Sequence, residues 1–519
     1  MFNSRRGVLL AAVYSAGLAL AVAAPASAET LAEAIALAYD SNPTLQAQRA
    51  TQRALDENWV QARAGYRPTA QIQGSANYTE NRAPAGAREI DRNGDGIADP
   101  LPEGGGISEN NAAAATLSLS QPIFTGGRVA ATVSAAEADI LAGQEQLRRT
   151  EASVMQAVIQ AYADVRRDQE ALRIREENLR VLQRQLDESK ARFEVGEITR
   201  TDVAQSEARL AAAEAQLSLA QSQLASSRAT YAAVVGQNPG DLAAEPALAD
   251  FLPADISQAF EAAENNNPQI RQAKYAERAS NARLAAAKAE RMPNLGVNAS
   301  LGYQGPADPY EREDFIRAVR AGATLTVPLF TGGLTSSRIR AAMERNNADR
   351  INVEVARRSV MQSLTQSWNQ HMASKANITS TDEQVRAARI AAEGTRQEQQ
   401  VGLRTTLDVL NAEQELRNAE LSQVTARRDE FVAASLVLAQ MGLLEGPLLT
   451  PAVTRYDPTT NFKNNRITWG WVPWEEPIAV VDGAFTPKTV EQPRTPAPPP
   501  AQAPAPAQAP APAQAPAPK

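Results

Sequence analysis

The chain contains no cysteine and a single histidine in 519 residues. Without cysteine there are no disulfides and no thiol chemistry, and His371 has no second histidine with which to share a transition metal. Beyond residue 24 no stretch offers 18 unbroken apolar residues, so no helical membrane span is expected. Basic residues are the minority, 52 Lys and Arg against 59 Asp and Glu, which argues against nucleic acid as a partner. No nucleophile–base pair, phosphate-binding loop or pair of catalytic acids stands out, so neither an enzyme nor a cofactor is expected.

The one long apolar run stands at the start. "MFNSRRGVLLAAVYSAGLALAVAAPASAET" places Arg5 and Arg6 before apolar residues from Val8 to about Ala24, and closes with Ala26-Ser27-Ala28. This predicts an export signal over residues 1–28; the paired arginines also fit, loosely, a twin-arginine signal. Its removal leaves 50 basic and 59 acidic residues, a formal charge of −9.

The rest is one unit written twice. Asn42-Pro43, Pro68 and Tyr78 recur 225 residues later as Asn267-Pro268, Pro293 and Tyr303. From "QPIFTGG" at 121–127 and "VPLFTGG" at 327–333 the offset is 206, and it holds for Val195-Gly196, Asp202-Val203 and Gly236 against Val401-Gly402, Asp408-Val409 and Gly442. The difference of 19 residues assigns a longer loop to the first copy. The expected divisions are a first repeat over 29–255, a second over 256–450, a C-terminal segment over 451–494, and a tail over 495–519. That tail, rich in Pro and Ala, cannot build a core and is expected to be extended and disordered.

Within each copy the periodicity changes. "TAQIQGSANY", "ATLSLSQ" and their counterparts at 295–303 and 321–327 alternate apolar with small polar residues over about 10 residues. That is the pattern either of a half-buried soluble hairpin, which the alternation taken alone favours, or of tilted strands that face lipid on one side. After "TGG" the period becomes seven: Val158, Val165, Leu172, Leu179, Leu186 and Phe193, then Val203, Leu210, Leu217, Leu224 and Tyr231. Sustained heptads predict helices that wind around partners. The flanking helices, 43–66 and 200–236, together match the long one and are expected to stack end to end beside it. At the joints, Pro122 and Pro328 should end the strands, Thr125 should cap the next helix, and Gly126-Gly127 and Gly332-Gly333 should turn the backbone sharply. Four strands cannot close a barrel, and open edges cannot sit in lipid, so strands in a membrane require several copies. Three copies give twelve strands, an even number that suits such barrels.

These residues resemble the TolC family of outer-membrane efflux and secretion ducts. The resemblance spans about 30–450 and is carried by the two Asn-Pro pairs, the two "FTGG" joints, and "VGEITRTDVAQSEARL" with "VGLRTTLDVLNAEQEL". It implies an α+β membrane protein. Its homotrimer would form a twelve-stranded barrel, continued by a helical coiled-coil tunnel across the periplasm with a mixed equatorial belt drawn from 29–42, 237–267 and 443–480. It implies an exit duct of a tripartite efflux or type I secretion system, set in outer-membrane lipid. A periplasmic adaptor and an inner-membrane pump or ABC transporter would be its partners. By the same resemblance the gate lies where the paired helices turn. Arg404 would bond across to Thr201 and Asp202, and Asp408 would form an acidic ring. Gln399 stands where the family's representative has Tyr, and Asn411 where it has a second Asp. Val195, Gly196, Thr199, Val401, Gly402, Leu403 and Thr405 would meet the adaptor. Read as residues alone, Asp202 and Asp408 also suit helix caps, and the turn glycines suit helix ends. A coiled-coil adhesin at the cell surface, without a pore, is the rival reading.

Three features fall outside that frame. "DRNGDGIADP" puts Asp91, Asn93, Asp95 and Asp99 at positions 1, 3, 5 and 9 of a calcium loop, with Gly96 at 6; position 12 is Pro102 rather than Glu, so a solvated acidic turn competes with a weak calcium site. His371 falls in the heptad seam, where packing is expected. Trp469, Trp471 and Trp474 are expected to pack on the belt, with peptidoglycan or partner binding as the alternative.

Overall fold

The computed structural model describes residues 28–82, 107–307, 315–445, 455–465 and 470–488. The export signal up to residue 27, the calcium candidates Asp91, Asn93, Asp95 and Asp99, Trp469 and the 495–519 tail lie outside the described residues.

Two rods dominate. Helices α3 (Arg128–Glu194) and α7 (Leu334–Gln400) have 67 residues each, about 100 Å at 1.5 Å per residue. The seven-residue seam is the packed face: Val158, Val165 and Leu186 are buried, and Leu172 and Leu179 pack at its margins. Beside each rod lie two shorter helices, α2 (Pro43–Arg63) with α4 (Arg200–Val235), and α6 (Pro268–Ala289) with α8 (Thr406–Met441). Two further helices, α1 (Leu31–Ser41) and α5 (Ile256–Asn266), precede α2 and α6.

The Asn-Pro pairs splice the shorter helices end to end. Asn42 accepts from Thr44 N at 2.9 Å, capping α2, while its amide donates to Val234 O in the last turn of α4 at 2.9 Å. Asn267 repeats this with Gln269 N at 2.8 Å and Gln440 O at 2.7 Å. The proline after each sits at the first helical position, where no N–H is needed. Gly442 admits the close approach: its φ is 73°, and a Cβ there would lie 2.5 Å from Asn266 O. Aspartate caps as well as asparagine, but it cannot donate and would set a negative charge against the negative end of α8. Asn267→Asp is therefore expected to destabilise the protein by about 1 kcal/mol, read as a lower thermal midpoint in detergent. An unchanged midpoint would show that the splice contributes nothing.

The main core gathers halfway along α3. Ile35, Leu45, Ile159, Tyr162, Tyr231 and Leu438 are buried there, with Leu242 and Leu248 from the segment after α4. Segments 29–42 and 237–267 thus belong to the belt. Of the described residues in 443–480, Leu444 and Tyr456 join that core and Leu443 packs on the cluster of Ala259 and Ala263, while those from 459 onward join neither. From Tyr456 the chain climbs along α2. Helix α9 (Thr459–Asn464) sets Phe462 edge-on to Trp59 at 5.4 Å, and α10 (Glu475–Ala484) reaches the strand–helix joint.

Strands β1 (Thr69–Arg82), β2 (Ile107–Phe124), β3 (Asn294–Pro306) and β4 (Ile316–Thr326) form an antiparallel meander in that order. The register aligns Ile72, Leu117, Leu301 and Val319 on one face, and Ala70, Leu119, Ala299 and Ala321 beside them. The other face aligns Gln71, Ser118 and Ser300, then Gln73, Thr116 and Gly302. Pro122 does not end its strand as expected. β2 runs on to Phe124 because a register shift between Pro122 and Phe124 absorbs the missing donor. β4 ends at Thr326, before Pro328.

The first joint is clasped by α10. Gly126 and Gly127 adopt φ of 67° and 83°, and Thr125 Oγ1 accepts from Val129 N at 3.2 Å. The fully buried Asp482 carboxylate accepts from Thr125 N at 2.7 Å, Gly127 N at 3.0 Å, Thr125 Oγ1 at 2.8 Å and the Tyr66 hydroxyl at 3.2 Å. Burial, and then the Asp482 charge, push the Tyr66 phenol up, so it keeps its proton and donates. Glu475, also buried, pairs with Arg63 at 2.6 Å and Arg67 at 2.8 Å. The second joint repeats the left-handed pair, Gly332 at 61° and Gly333 at 85°, but no described element covers it; Leu329 and Phe330 stand exposed.

Candidate functional site: the paired helical turns

The two rods end in turns of matching geometry. Gly196 and Gly402 take φ of 80° and 79°. Gly196 N donates to Phe193 O at 3.0 Å and Glu197 N to Arg192 O at 2.9 Å; Gly402 N and Leu403 N make the same bonds to Gln399 O and Glu398 O, each at 2.9 Å. These backbone bonds close the long helices. The returning helices open on capping boxes. Asp202 Oδ2 accepts from Thr199 N at 2.9 Å and Thr199 Oγ1 at 2.8 Å; Asp408 Oδ2 accepts from Thr405 N at 3.0 Å and Thr405 Oγ1 at 2.8 Å. The bonds from the Thr backbone, then from its hydroxyl, hold both carboxyls below the usual range. The caps keep full strength above that range and weaken only as pH falls through the lowered values.

Arg404 does not bond Thr201 or Asp202 within the chain. Its Nε pairs with Glu398 Oε2 at 2.8 Å, a partner six residues back in the same turn. The first turn carries the reversed pair, Arg192 with Glu197 at 3.0 Å. Thr201 is exposed. Gln399 is buried, with its amide 3.5 Å from Thr406 Oγ1. Asn411 accepts from Arg209 Nη2 at 2.9 Å, and Gln414 from Arg209 Nη1 at 2.5 Å. This bridge from α4 to α8 joins the two hairpins near their ends. No periodic signal marks Arg209; only the structure pairs it.

His371 is buried in the α7 seam, its Nδ1 3.6 Å from Glu430 Oε1. That is too long for a hydrogen bond, and burial, followed by the Lys375 charge, holds the imidazole below its ordinary pKa. It is a neutral packing group. Trp471 and Trp474 are not among the belt's core residues; Trp471 is exposed, and Trp474 lies at the first joint, where its Nε1 donates to Gln121 Oε1 at 3.1 Å.

The model of the outer membrane efflux protein family matches residues 34–237 and 259–440. This chain belongs to that family. It is 32% identical over 469 residues to the outer membrane efflux protein BepC of Brucella suis, spanning 90% of this chain and 97% of the relative. It is 25% identical over 336 residues to the alkaline protease secretion protein AprF of Pseudomonas aeruginosa, spanning 64% and 69%. The fold superposes on the Campylobacter jejuni CmeC outer membrane channel with a TM-score of 0.65 at 15% identity, covering 84% of this chain and 88% of that one. The fold class is that of the trimeric channels: four strands per chain of a twelve-stranded barrel, continued by a helical tunnel. The efflux family protein is thus an outer-membrane exit duct of the efflux or type I secretion kind, not a surface rod without a pore.

Proposed function

We propose that the two turns are both the gate and the adaptor-docking end of a passive duct, which works as a homotrimer without a cofactor or bond chemistry. A periplasmic adaptor joins it to an inner-membrane pump or ABC transporter, and that partner selects the cargo, small toxic molecules or unfolded protein. One observation carries the reading. Val195, Val401 and Leu403 are 72%, 70% and 75% exposed on turns held by the glycine closures and the Thr199 and Thr405 caps. Apolar side chains fixed in water gain about 1.5–3 kcal/mol each when covered, and a rigid frame loses little entropy on docking. A side chain at Gly196 or Gly402 would meet nothing among the described residues within 4 Å of its Cβ, which leaves room for the adaptor's backbone. Benzophenone attached to a unique cysteine at Leu403 is expected to crosslink one periplasmic protein in cells. The same label at Leu219, also exposed but on the rod's flank, should not. Identical products from both positions would reject the docking assignment.

In the gate, Asp408 presents a charged carboxylate, three copies in the trimer, which favours cations. Arg209 locks the hairpins within a chain, while Thr201 and Arg404 serve contacts between chains. Arg209→Ala is expected to raise single-channel conductance at least twofold, with a smaller rise for Arg404→Ser. Unchanged conductance in Arg209→Ala would remove the lock.

A further inference from the structure

We propose that α10 is an interfacial anchor, seated in the phospholipid surface of the membrane's periplasmic leaflet at the foot of the barrel.

The helix is inside out for water. Two of its three acids face the protein: Glu475 and Asp482 are fully buried, while Glu476, 60% exposed, pairs with Arg63 at 2.8 Å. Apart from Glu476 at its flank, held in that ion pair, its outer face carries no charge. Trp474, Pro477, Val481 and Ala484 recur at helical spacing and are exposed; Val480 at 72% and Phe485 at 58% flank them. Surface helices of soluble proteins place charge outward. A helix whose charges are all buried or paired and whose apolar side is bare fits a lipid boundary.

Its position fits that boundary too. Trp474 Nε1 bonds Gln121, which lies across from Val297 on the same sheet face as Leu117 and Leu119. Phe485 stacks edge-on against Phe124 at 5.3 Å, and Phe124 pairs with Leu295 on that face. Both ends of the helix therefore continue the apolar, lipid-facing side of the sheet. Tyr78, opposite Asn111, stands on the same face at the other end. From Asn111 to Gln121, ten residues of β2 at about 3.3 Å each and a tilt of about 40° span roughly 25 Å, the height of a barrel's apolar band between its aromatic girdles. Trp474 and Phe485 then sit at the lower girdle, where indole and phenyl rings partition. The buried contacts of Glu475 and Asp482 fix the helix at this depth, so no ordering cost falls on binding.

The absence of native cysteine makes each introduced thiol unique. Val481→Cys, Val319→Cys in the barrel's apolar face and Leu219→Cys on the rod would each carry an NBD dye. The proteins would be reconstituted in phosphatidylethanolamine–phosphatidylglycerol vesicles with a nitroxide at acyl carbon 5. The dye at 481 is expected to be quenched to within about twofold of the dye at 319, and severalfold more than at 219. Quenching at 481 no greater than at 219 overturns the proposal. Iodide sensitivity would then mean that water bathes the helix, and resistance to both quenchers that a neighbouring copy covers it. Loss of quenching at 319 as well would sink the membrane placement of the strands along with the anchor.

Discussion

Asp482→Ala is expected to destabilise the assembled duct by about 3 kcal/mol or more. The carboxylate is fully buried and takes four hydrogen bonds, two from backbone N–H groups of the first joint. Alanine leaves those donors without a partner in a dry site, at a cost of about 1–3 kcal/mol for each neutral donor not rescued by water. The thermal midpoint of the detergent-purified trimer reads the effect. Asp482→Asn keeps the shape and some acceptor capacity, so it should fall between the two. Glu476→Ala removes an acid whose side chain is 60% exposed and should cost less than about 1 kcal/mol. Equal midpoints for Asp482→Ala and Glu476→Ala would mean that the clasp does not hold the joint.

The second large effect separates the two joints. Both copies use left-handed glycine pairs, and any other residue there is strained by about 1–2 kcal/mol. At Gly126 a Cβ would also lie 2.3 Å from Met292 Cβ and 3.3 Å from Pro293 O, whereas at Gly332 nothing among the described residues lies within 4 Å. Gly126→Val must move the Met292 segment that opens β3 and should abolish assembly. Gly332→Val should assemble with reduced stability. Size-exclusion chromatography in detergent measures the trimer fraction. Matching losses would show that backbone strain alone, and not the Met292 contact, sets the cost.

What was legible in the sequence is what repeats. Heptads from Val158 to Leu186 announced the rods because helix packing imposes a period, and the strand alternation announced the two faces because the pleat does. The paired turns were legible through duplication: Thr199 with Asp202 and Thr405 with Asp408 are one capping box copied at a 206-residue offset. What stayed hidden depends on single long-range contacts. Asn42 and Asn267 served only to mark the repeat, although each joins helices about 190 and 170 residues apart in the chain. The "TWGWVPWEEP" stretch read as belt packing, because nothing local says that Glu475 meets Arg63 or that Asp482 meets Thr125. Within the chain Arg404 pairs with Glu398 of its own turn, a contact that neither the heptads nor the resemblance carries. Pro122 read as a strand end because a bulge leaves no periodic trace.

The strands' role is tested most directly by current through them. With Thr116→Cys or Leu117→Cys as the sole thiol, the duct would be held open in a planar bilayer by Arg209→Ala, and a charged methanethiosulfonate would be added. Thr116 belongs to the small polar face and Leu117 to the apolar one. The account expects discrete channel currents in both proteins, a step change in current on modification of Thr116→Cys, and none for Leu117→Cys. No current from either, or a step at Leu117→Cys alone, would contradict it.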